Sequence, residues 1–221
     1  MPVNSDLYKN ISKELKEKNV TLVAVSKTKP VEGILELYNL GQRDFGENYV
    51  QELVAKQEQL PKDIRWHFIG HLQSNKVKLI TPFVSLIQSV DSESLLKEIN
   101  KQAEKNSRKI DCLLQVHIAK EETKFGLDEN ELDEIIRARG YKNICVKGLM
   151  GMASFTDDEK IVRNEFRLLK SLFDKYRHLQ TNNDNLQTLS MGMSSDYKIA
   201  IEDGSNMVRI GSLLFGERNK K

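Results

Sequence analysis

Short apolar runs alternate with longer amphipathic stretches along the chain of 221 residues. Eight of these runs are short and rich in apolar and β-branched residues, which predicts buried strands. The predicted strands are Thr21–Val25, Arg43–Phe45, Arg65–Ile69, Val84–Val90, Ile110–Ile118, Ile144–Leu149, Thr188–Leu189 and Met207–Ile210. Because the runs are almost continuously apolar rather than alternating, they are typical of parallel strands that are covered on both faces.

The stretches between the strands carry apolar residues at helical spacing. They predict helices over Val31–Leu40, Glu47–Gln59, Ser74–Ile80, Ser92–Lys105, about Asp128–Arg139, about Asp157–Tyr176 and Ser194–Glu202. The repeated strand-then-helix order predicts a single (β/α)8 TIM-type barrel. An extra N-terminal helix before residue 20 precedes the first strand, and we expect it to cover the barrel bottom. No repeat or linker interrupts the pattern, so residues 1–221 are expected to form one domain.

Charge and composition narrow the class of protein. Lys and Arg total 34 against 32 Asp and Glu, a net charge of +2, so the chain lacks the basic surface of a nucleic-acid-binding protein. No segment approaches the ~18 apolar residues of a membrane helix, and no signal-peptide core is present. We therefore expect a cytoplasmic location. Cys112 and Cys145 lie in predicted strands as buried thiols, and the spacing of cysteines and histidines predicts no metal site.

Two segments have the composition of a phosphate site. In (β/α)8 barrels the active site lies at the C-terminal ends of the strands, and the loops after strands seven and eight often bind phosphate. Here these loops read Ser190-Met191-Gly192-Met193-Ser194 and Gly211-Ser212. Both supply glycine, hydroxyls and backbone N–H groups, which bind anions. The alternative, that Ser194 or Ser195 only caps a helix, is less favoured because both segments occur where a barrel binds phosphate.

Lys27 follows the first predicted strand. Val23, Val25 and Lys27 share one side of that strand, because side chains alternate with a period of two. The ammonium is therefore expected to point inward at the rim of an apolar barrel, where desolvation favours the neutral amine. A neutral amine is the nucleophile that forms a Schiff base with an aldehyde. The alternative is an ordinary solvated lysine.

Arg209 lies in the eighth predicted strand among apolar neighbours. A buried arginine needs partners, since an unpaired buried charge is costly. If the barrel closes, strand eight is adjacent to strand one, so Arg209 can approach the same ligand as Lys27. The alternative is an arginine–carboxylate pair inside the barrel.

Other candidates carry weaker signals. Asn48 follows the second strand, where it could contact a ligand or cap a helix. Around strand three, His67 and His71 are each more often satisfied structural groups than bases. At the end of strand five, Lys124 precedes a turn and could point at the barrel mouth. Nearby polar residues of the same two regions are Trp66, Asn75, His117 and Lys120.

Several motifs carry a resemblance to a known family. They are VSKTKP (Val25–Pro30), FGENYVQE (Phe45–Glu52), WHFIGHLQSNK (Trp66–Lys76), HIAKEETKFG (His117–Gly126), KGLMGMA (Lys147–Ala153), LSMGMSSDY (Leu189–Tyr197) and MVRIGSLLFGER (Met207–Arg218). In this order, over nearly the whole chain, they resemble the pyridoxal phosphate homeostasis protein family. The barrel of that family is similar to the N-terminal domain of alanine racemase, a fold-type III protein that binds pyridoxal 5′-phosphate (PLP).

The resemblance implies roles for individual residues. Lys27 matches the family's Schiff-base lysine, and Arg209 matches the arginine beside the pyridine nitrogen. Asn48 matches a position near the cofactor ring, while Lys29 and Lys124 match lysines of the pocket mouth. The phosphate-binding segments are matched by Ser190, Met191, Gly192, Ser194, Gly211 and Ser212.

Two classes of function compete. The resemblance favours a PLP carrier without turnover, monomeric, with PLP-dependent apo-enzymes as recipients and no nucleic-acid or membrane partner. The alternative is a PLP-dependent racemase-like enzyme. Alanine racemase uses a second base, a tyrosine supplied with a separate C-terminal domain, and we expect both to be absent here. Arginine only donates hydrogen bonds, so a pyridine nitrogen facing Arg209 stays unprotonated and is a weak electron sink. A third hypothesis is a sugar-phosphate lyase that uses Lys27 without a cofactor.

Overall fold

Eight parallel strands close into a barrel in the computed structural model, which describes residues 3–119, 125–138, 141–178 and 186–216. Each strand pairs with the next one in sequence, and the eighth pairs with the first. The strands are β1 (Thr21–Val25), β2 (Asp44–Glu47), β3 (Arg65–Phe68), β4 (Leu86–Val90), β5 (Ile110–Gln115), β6 (Ile144–Met150), β7 (Thr188–Ser190) and β8 (Met207–Ile210). The predicted (β/α)8 barrel is confirmed.

Helices alternate with these strands. Among the described residues they are α1 (Ser5–Glu17), α2 (Val31–Asn39), α3 (Val50–Gln59), α4 (Val77–Ile80), α5 (Glu93–Lys105), α6 (Glu129–Arg137), α7 (Glu159–Tyr176), α8 (Tyr197–Glu202) and α9 (Ser212–Phe215). A single 3-10 turn, Ser74–Lys76, precedes α4. The sequence did not predict α9, and its predicted end for α6, Arg139, lies outside the described residues.

The predicted start of the helix after β2 is wrong. The sequence suggested that a helix begins at Glu47, but β2 extends through this residue, which pairs with Phe68 of β3. The helix α3 begins only at Val50. Glu47 therefore belongs to the wall of the barrel and not to the surface of a helix, and this changes its chemistry.

Two hydrophobic cores follow from the alternation of side chains along each strand. The inner core fills the barrel, and the outer core lies between the strands and the helices. The inner core consists of Val23, Leu86, Leu113, Met150 and Met207. On β1, the neighbouring Ala24 points the other way and joins the outer core. Cys112 and Cys145 are buried thiols, as expected.

The helix α1 does not cover the barrel bottom as expected. At its start, the backbone N–H of Asn4 donates to the carbonyl oxygen of Leu214 in α9 at 2.8 Å. The hydroxyl of Ser5 donates to Glu36 of α2 at 3.0 Å. Since α9 follows the C-terminal end of β8 and α1 leads directly into β1, α1 lies along the side of the barrel. It covers the outer face that the single turn of α9 leaves open.

This placement makes α1 part of the core. We expect Leu15→Ala to lower the free energy of unfolding by ~2–5 kcal/mol, because Leu15 is only 1% exposed and truncation leaves a cavity. Urea unfolding at 25 °C measures the effect. Leu79→Ala, at a 45% exposed position, is the control and should change stability by less than ~0.5 kcal/mol. Equal effects of both substitutions would show that α1 is only loosely attached.

Candidate functional site

A cavity of about 630 Å³ opens at the C-terminal ends of the strands. Its volume falls in the range of small-molecule sites. Most of its polar groups come from the ends of β1, β7 and β8, and apolar side chains complete the wall. The lining residues are Val25, Lys27, Lys29, Asn48, Ile69, Met152, Phe155, Met193, Ser194, Ser195, Arg209, Gly211, Ser212, Leu213 and Gly216.

Lys27 lies on this wall and is half-buried. The chain turns sharply just after it, where Thr28 has a positive φ of 61°. The N–H of Lys29 donates to the carbonyl oxygen of Ser26 at 3.0 Å and closes the turn. A non-glycine residue with positive φ is uncommon and is held by its surroundings.

A buried ion cluster holds the residue before Lys27. The hydroxyl of Ser26 donates to Oε1 of Glu47 at 2.6 Å. The ammonium of Lys56, on α3, donates to the same carboxyl oxygen at 2.7 Å and to the carbonyl oxygen of Ser26 at 2.8 Å. Both the side chain and the backbone of Ser26 are thus bonded from outside the barrel.

The same cluster holds the residue after Lys27. The N–H of Thr28 donates to Oε2 of Glu52 at 2.8 Å, and Lys56 donates to that oxygen at 3.0 Å. Charge-assisted hydrogen bonds are stronger than neutral ones. The cluster of Glu47, Lys56 and Glu52 therefore clamps both sides of the lysine that lines the cavity.

Glu47 is an unusual carboxyl group. Its side chain is fully buried, and Oε2 has no hydrogen-bond partner among the described residues. Burial raises the pKa of Glu47 to about 7, although Lys56 and Ser26 act in the opposite direction. The clamp therefore contains a group that titrates near neutral pH.

Arg209 extends from β8 into the barrel and reaches the cavity wall. Its Nη1 donates to the backbone oxygen of Ser190 at 2.9 Å and to the Ser190 hydroxyl at 2.6 Å. Its Nη2 donates to the carbonyl oxygen of Gly151 at 3.0 Å. Burial lowers the pKa of Arg209 to about 10, so the side chain remains a cation at neutral pH. No carboxylate within the described ranges forms an ion pair with it, so the alternative of an arginine–carboxylate pair is not realised there.

The two segments with phosphate-site composition meet at the cavity. Ser194 accepts a hydrogen bond at 3.2 Å from the N–H of Gly211, which joins the turn after β7 to the turn after β8. In the part of the chain that the structure describes, the N–H groups of Ser194, Ser195, Ser212 and Leu213 have no acceptor. All four residues line the cavity, so their N–H groups are available to an anion. The N-cap of α8 is Asp196, so the alternative of helix capping by Ser194 or Ser195 is wrong.

Asn48 also lines the cavity, and its Oδ1 is buried without a hydrogen-bond partner among the described residues. The N-cap of α3 is Tyr49, so Asn48 does not cap that helix. A buried acceptor without a donor costs free energy. A ligand that brings a donor to this place would remove that cost.

The cavity brings together six of the nine residues that the sequence proposed for a site. They are Lys27, Asn48, Ser194, Arg209, Gly211 and Ser212. Ser190, Met191 and Gly192 lie off the wall and are buried beneath it. Gly192 has a φ of 95°, and a Cβ there would lie 2.6 Å from the Cβ of Ala200, so only glycine fits this turn.

The remaining candidates have other surroundings. Lys29 lines the cavity, and its ammonium donates to the carbonyl oxygens of Phe215 and Gly216 at 3.0 and 2.9 Å. His71 forms a 2.8 Å hydrogen bond with Asp91, away from the cavity wall. Lys120 and Lys124 lie outside the described residues. No group of three or more His, Cys, Asp or Glu side chains in the described ranges could hold a metal ion, and no described helix is long and apolar enough to cross a membrane.

Sequence reasoning missed several wall residues. Ile69, Met152 and Met193 each follow the end of a strand, and that position was the signal that could have found them. Phe155 lines the rim with 91% of its surface exposed, and nothing in its local sequence marks it.

Known proteins share this sequence over most of its length. A pyridoxal phosphate homeostasis protein of Aquifex aeolicus is 45% identical over 199 residues, which are 89% of this chain and 86% of the relative. The human protein of the same name is 41% identical over 211 residues, 90% of this chain and 76% of the relative. The family model described as alanine racemase, N-terminal domain, matches residues 6–219. The chain belongs to this family, among its pyridoxal phosphate homeostasis proteins.

Solved structures share the barrel. PipY of Synechococcus elongatus, solved with PLP bound, is 34% identical with a TM-score of 0.87, over 96% of this chain and 99% of that one. An alanine racemase of Clostridium difficile is 16% identical with a TM-score of 0.81, over 100% of this chain and 64% of that one. At that identity the racemase shows the shared fold alone.

The raised pKa of Glu47 predicts a pH dependence of stability. Between about pH 4.5 and pH 7 the folded protein keeps a proton on Glu47 that the unfolded chain releases. The contribution of this group is therefore present below pH 4.5 and is lost as the pH rises through about 7. We expect the free energy of unfolding to fall over this range, on the order of 3 kcal/mol more in the wild type than in Glu47→Gln.

Urea unfolding at a series of pH values measures this difference. Glu58→Gln removes an exposed carboxyl group from the same helix, α3, and should keep the wild-type profile. If Glu47→Gln and the wild type show the same profile, the carboxyl group of Glu47 is ionised throughout and the assignment is wrong.

Proposed function

We propose that the protein binds PLP covalently through Lys27 and serves intracellular PLP homeostasis as a carrier, without catalytic turnover. One observation carries the proposal: the same cavity is lined by an amine, a buried guanidinium and four N–H groups that have no acceptor among the described residues. An aldehyde, a pyridine nitrogen and a phosphate are the groups of PLP that match them. The relatives named pyridoxal phosphate homeostasis protein and the PLP-bound PipY structure support the same ligand.

The phosphate would bind between the turns after β7 and β8. The N–H groups of Ser194, Ser195, Ser212 and Leu213 supply donors there, and the hydroxyls of the three serines can add more. Ser190, Met191 and Gly192 would act from beneath by shaping the first of these turns. Such a site binds a phosphate dianion with backbone dipoles and needs no lysine or arginine beside it.

The ring would lie against Arg209 and Asn48. Arg209 only donates hydrogen bonds, so it would hold the pyridine nitrogen as an unprotonated acceptor. Oδ1 of Asn48 is a buried acceptor without a donor among the described residues, and a donor group on the ligand would fill this role. These two residues set the orientation of the ring, and the apolar side chains of Ile69 and Met152 exclude water from it.

Lys27 would make the covalent link. The neutral form of its amine would attack the aldehyde carbon, a C=N bond would form, and the aldehyde oxygen would leave as water. When bound, PLP supplies an electrophilic carbon and an electron-withdrawing ring. The clamp of Glu47, Lys56 and Glu52 keeps the Lys27 segment in place, so the amine is presented at a fixed position.

The absence of turnover is proposed from the cavity wall. No Tyr, His, Cys, Asp or Glu is among its described lining residues, and the ammonium of Lys29 donates to the carbonyl oxygens of Phe215 and Gly216. The described part of the wall therefore offers no ready second base opposite Lys27. A positioned acid or base contributes ~10²–10⁴-fold to a rate. The donor-only Arg209 also keeps the ring a weak electron sink. The racemase-like alternative would need another residue as the second base and another means of making the ring a stronger electron sink.

The proposal also covers the domain organisation, the oligomeric state, the recipients of PLP and the location of the protein. We infer that residues 1–221 act as one PLP-binding barrel domain, that the protein is a monomer, and that PLP-dependent apo-enzymes receive the PLP. A cytoplasmic location is part of the proposal. Cys112 and Cys145 form no disulfide among the described residues, which agrees with a compartment that keeps cysteines reduced.

Mapping the covalent adduct tests the central claim. After incubation with PLP and borohydride reduction, we expect mass spectrometry to find a phosphopyridoxyl group on Lys27. This amine lines the same wall as Arg209 and the phosphate turns, whereas the ammonium of Lys29 donates to the carbonyl oxygens of Phe215 and Gly216. Lys27→Ala should lose the adduct and the yellow absorption band. Lys198→Ala, an exposed lysine of α8 outside the cavity, is the control and should keep both.

Other results would contradict this assignment. An adduct on Lys29, on Lys124 or scattered over surface lysines would move the covalent link away from β1. No adduct even in excess PLP would sink the proposal and favour the cofactor-free lyase.

A turnover assay separates carrier from enzyme. With PLP bound, we expect racemisation or transamination of amino acids below about 0.1 s⁻¹, because typical enzymes reach ~10 s⁻¹ and one missing base costs at least ~10²-fold. Chiral chromatography of the amino acids measures the rate, and Lys27→Ala gives the background. A rate near ~10 s⁻¹ that vanishes in Lys27→Ala would show that the protein is an enzyme.

A further inference from the structure

A continuous chain of hydrogen bonds crosses the interior of the barrel. It starts at Arg209 on β8, whose Nη1 lies 2.6 Å from the hydroxyl of Ser190 on β7. This hydroxyl lies 2.7 Å from Oε1 of Gln88 on β4, so the chain spans strands that are not neighbours in the sheet. Nε2 of Gln88 lies 2.9 Å from Nδ1 of His67 on β3. Nε2 of His67 lies 3.0 Å from Oδ1 of Asp44 on β2.

The chemistry of the end group fixes the direction of donation. Arg209 can only donate, so the oxygen of Ser190 accepts and its one hydrogen is free for Oε1 of Gln88, which can only accept. The amide nitrogen of Gln88 can only donate, so Nδ1 of His67 is the acceptor. The ring hydrogen of His67 is then on Nε2 and is donated to Asp44. Every bond points from the cation toward the carboxylate.

The orientation of the Gln88 amide has independent support. Nε2 of Gln88 also lies 3.3 Å from the sulfur of Met207, a weak acceptor. The reversed amide would turn its oxygen toward this sulfur, where no hydrogen is available. It would also turn its nitrogen toward Ser190, so the hydroxyl hydrogen of Ser190 would lose its acceptor on Gln88. The reversed arrangement therefore makes fewer hydrogen bonds.

The far end of the chain is anchored in the lower barrel. Asp44 accepts from Nε of Arg65 at 2.7 Å and pairs with its Nη2. Burial alone would raise the pKa of Asp44, but hydrogen bonds from Arg65 and His67 outweigh it and lower the pKa to about 2. Asp44 is thus a fixed anion toward which the aligned bonds lead, while Gln88 and Ser190 are fully buried and His67 nearly so.

We propose that Gln88 and His67 are positioning residues for Arg209, which act through Ser190 to hold the guanidinium in one orientation at the cavity wall. They also link it to the anion Asp44 by dipoles that all point one way. Because unsatisfied groups inside the barrel are costly, one break in the chain affects every member. Only the expected effect on PLP binding rests on the proposed function. The protonation of the His67 ring can be measured without PLP.

The state of His67 is the first test. In the wild type before PLP is added, ¹⁵N NMR should show a neutral ring with its hydrogen on Nε2. The isosteric Gln88→Glu keeps an acceptor for Ser190 but has no donor for Nδ1 when ionised, so both ring nitrogens of His67 should carry hydrogen at neutral pH. A wild-type His67 ring that carries hydrogen on Nδ1 would overturn the proposed direction of donation.

PLP binding is the second test. Gln88→Leu removes both bonds at the centre of the chain, and we expect its Kd for PLP to rise about tenfold and its visible absorption maximum to shift, because Arg209 loses its fixed orientation. Adding PLP should shift the His67 ¹⁵N signals in the wild type but not in Gln88→Leu. Circular dichroism checks that this variant is folded.

A matched control distinguishes the positioning effect of Gln88 from the general effect of removing a buried amide. Gln115 on β5 is also buried, but its amide donates to the carbonyl oxygen of Phe125 and not into the chain. Gln115→Leu should leave the Kd for PLP within about twofold of the wild type and should not change the His67 signals. Equal Kd values for Gln88→Leu and the wild type would overturn the positioning role. A wild type that binds no PLP would refute the proposed function instead, while the NMR test of His67 would still stand on its own.

Discussion

A guanidinium that is 4% exposed and has no carboxylate beside it within the described residues must be stabilised by oriented dipoles. An unpaired buried charge costs several kcal/mol, and Arg209 avoids this cost with two carbonyl oxygens and a hydroxyl. The hydroxyl of Ser190 can accept because Gln88 takes its hydrogen. The polar interior of the barrel is therefore organised around this one cation.

Closure of the barrel places Arg209 beside the residues of the cavity wall. Because β8 pairs with β1, Val23 and Arg209 stand opposite each other in register, and Lys27 follows at the same end of the barrel. The turn after β7 reaches the same rim through the hydrogen bond between Gly211 and Ser194. Residues from opposite ends of the sequence therefore form one wall, which local segments could not build separately.

The sequence predicts those site residues that a local pattern marks. Arg209 stands out because it is a charged residue inside an apolar strand, and Lys27 because it follows such a strand after a single serine. Glu47 was misplaced because its strand is short and its partner Lys56 lies on a separate helix, so no periodic pattern connects them. Gln88 is a polar residue in an apolar strand, and this pattern alone marks it as a residue that needs a hydrogen-bond partner. Its partner Ser190 is 102 positions away, and only tertiary structure brings them together.

The position of α1 has a consequence for how the chain is made. The first helix leaves the ribosome early, yet its start is bonded to Leu214, almost at the other end of the chain. Chains are synthesised from the N-terminus, and contacts of large sequence separation form late because loop closure is entropically costly. The apolar face of α1 therefore stays without part of its final neighbours until α9 has been synthesised. The contact between α1 and α9 is the one that closes last.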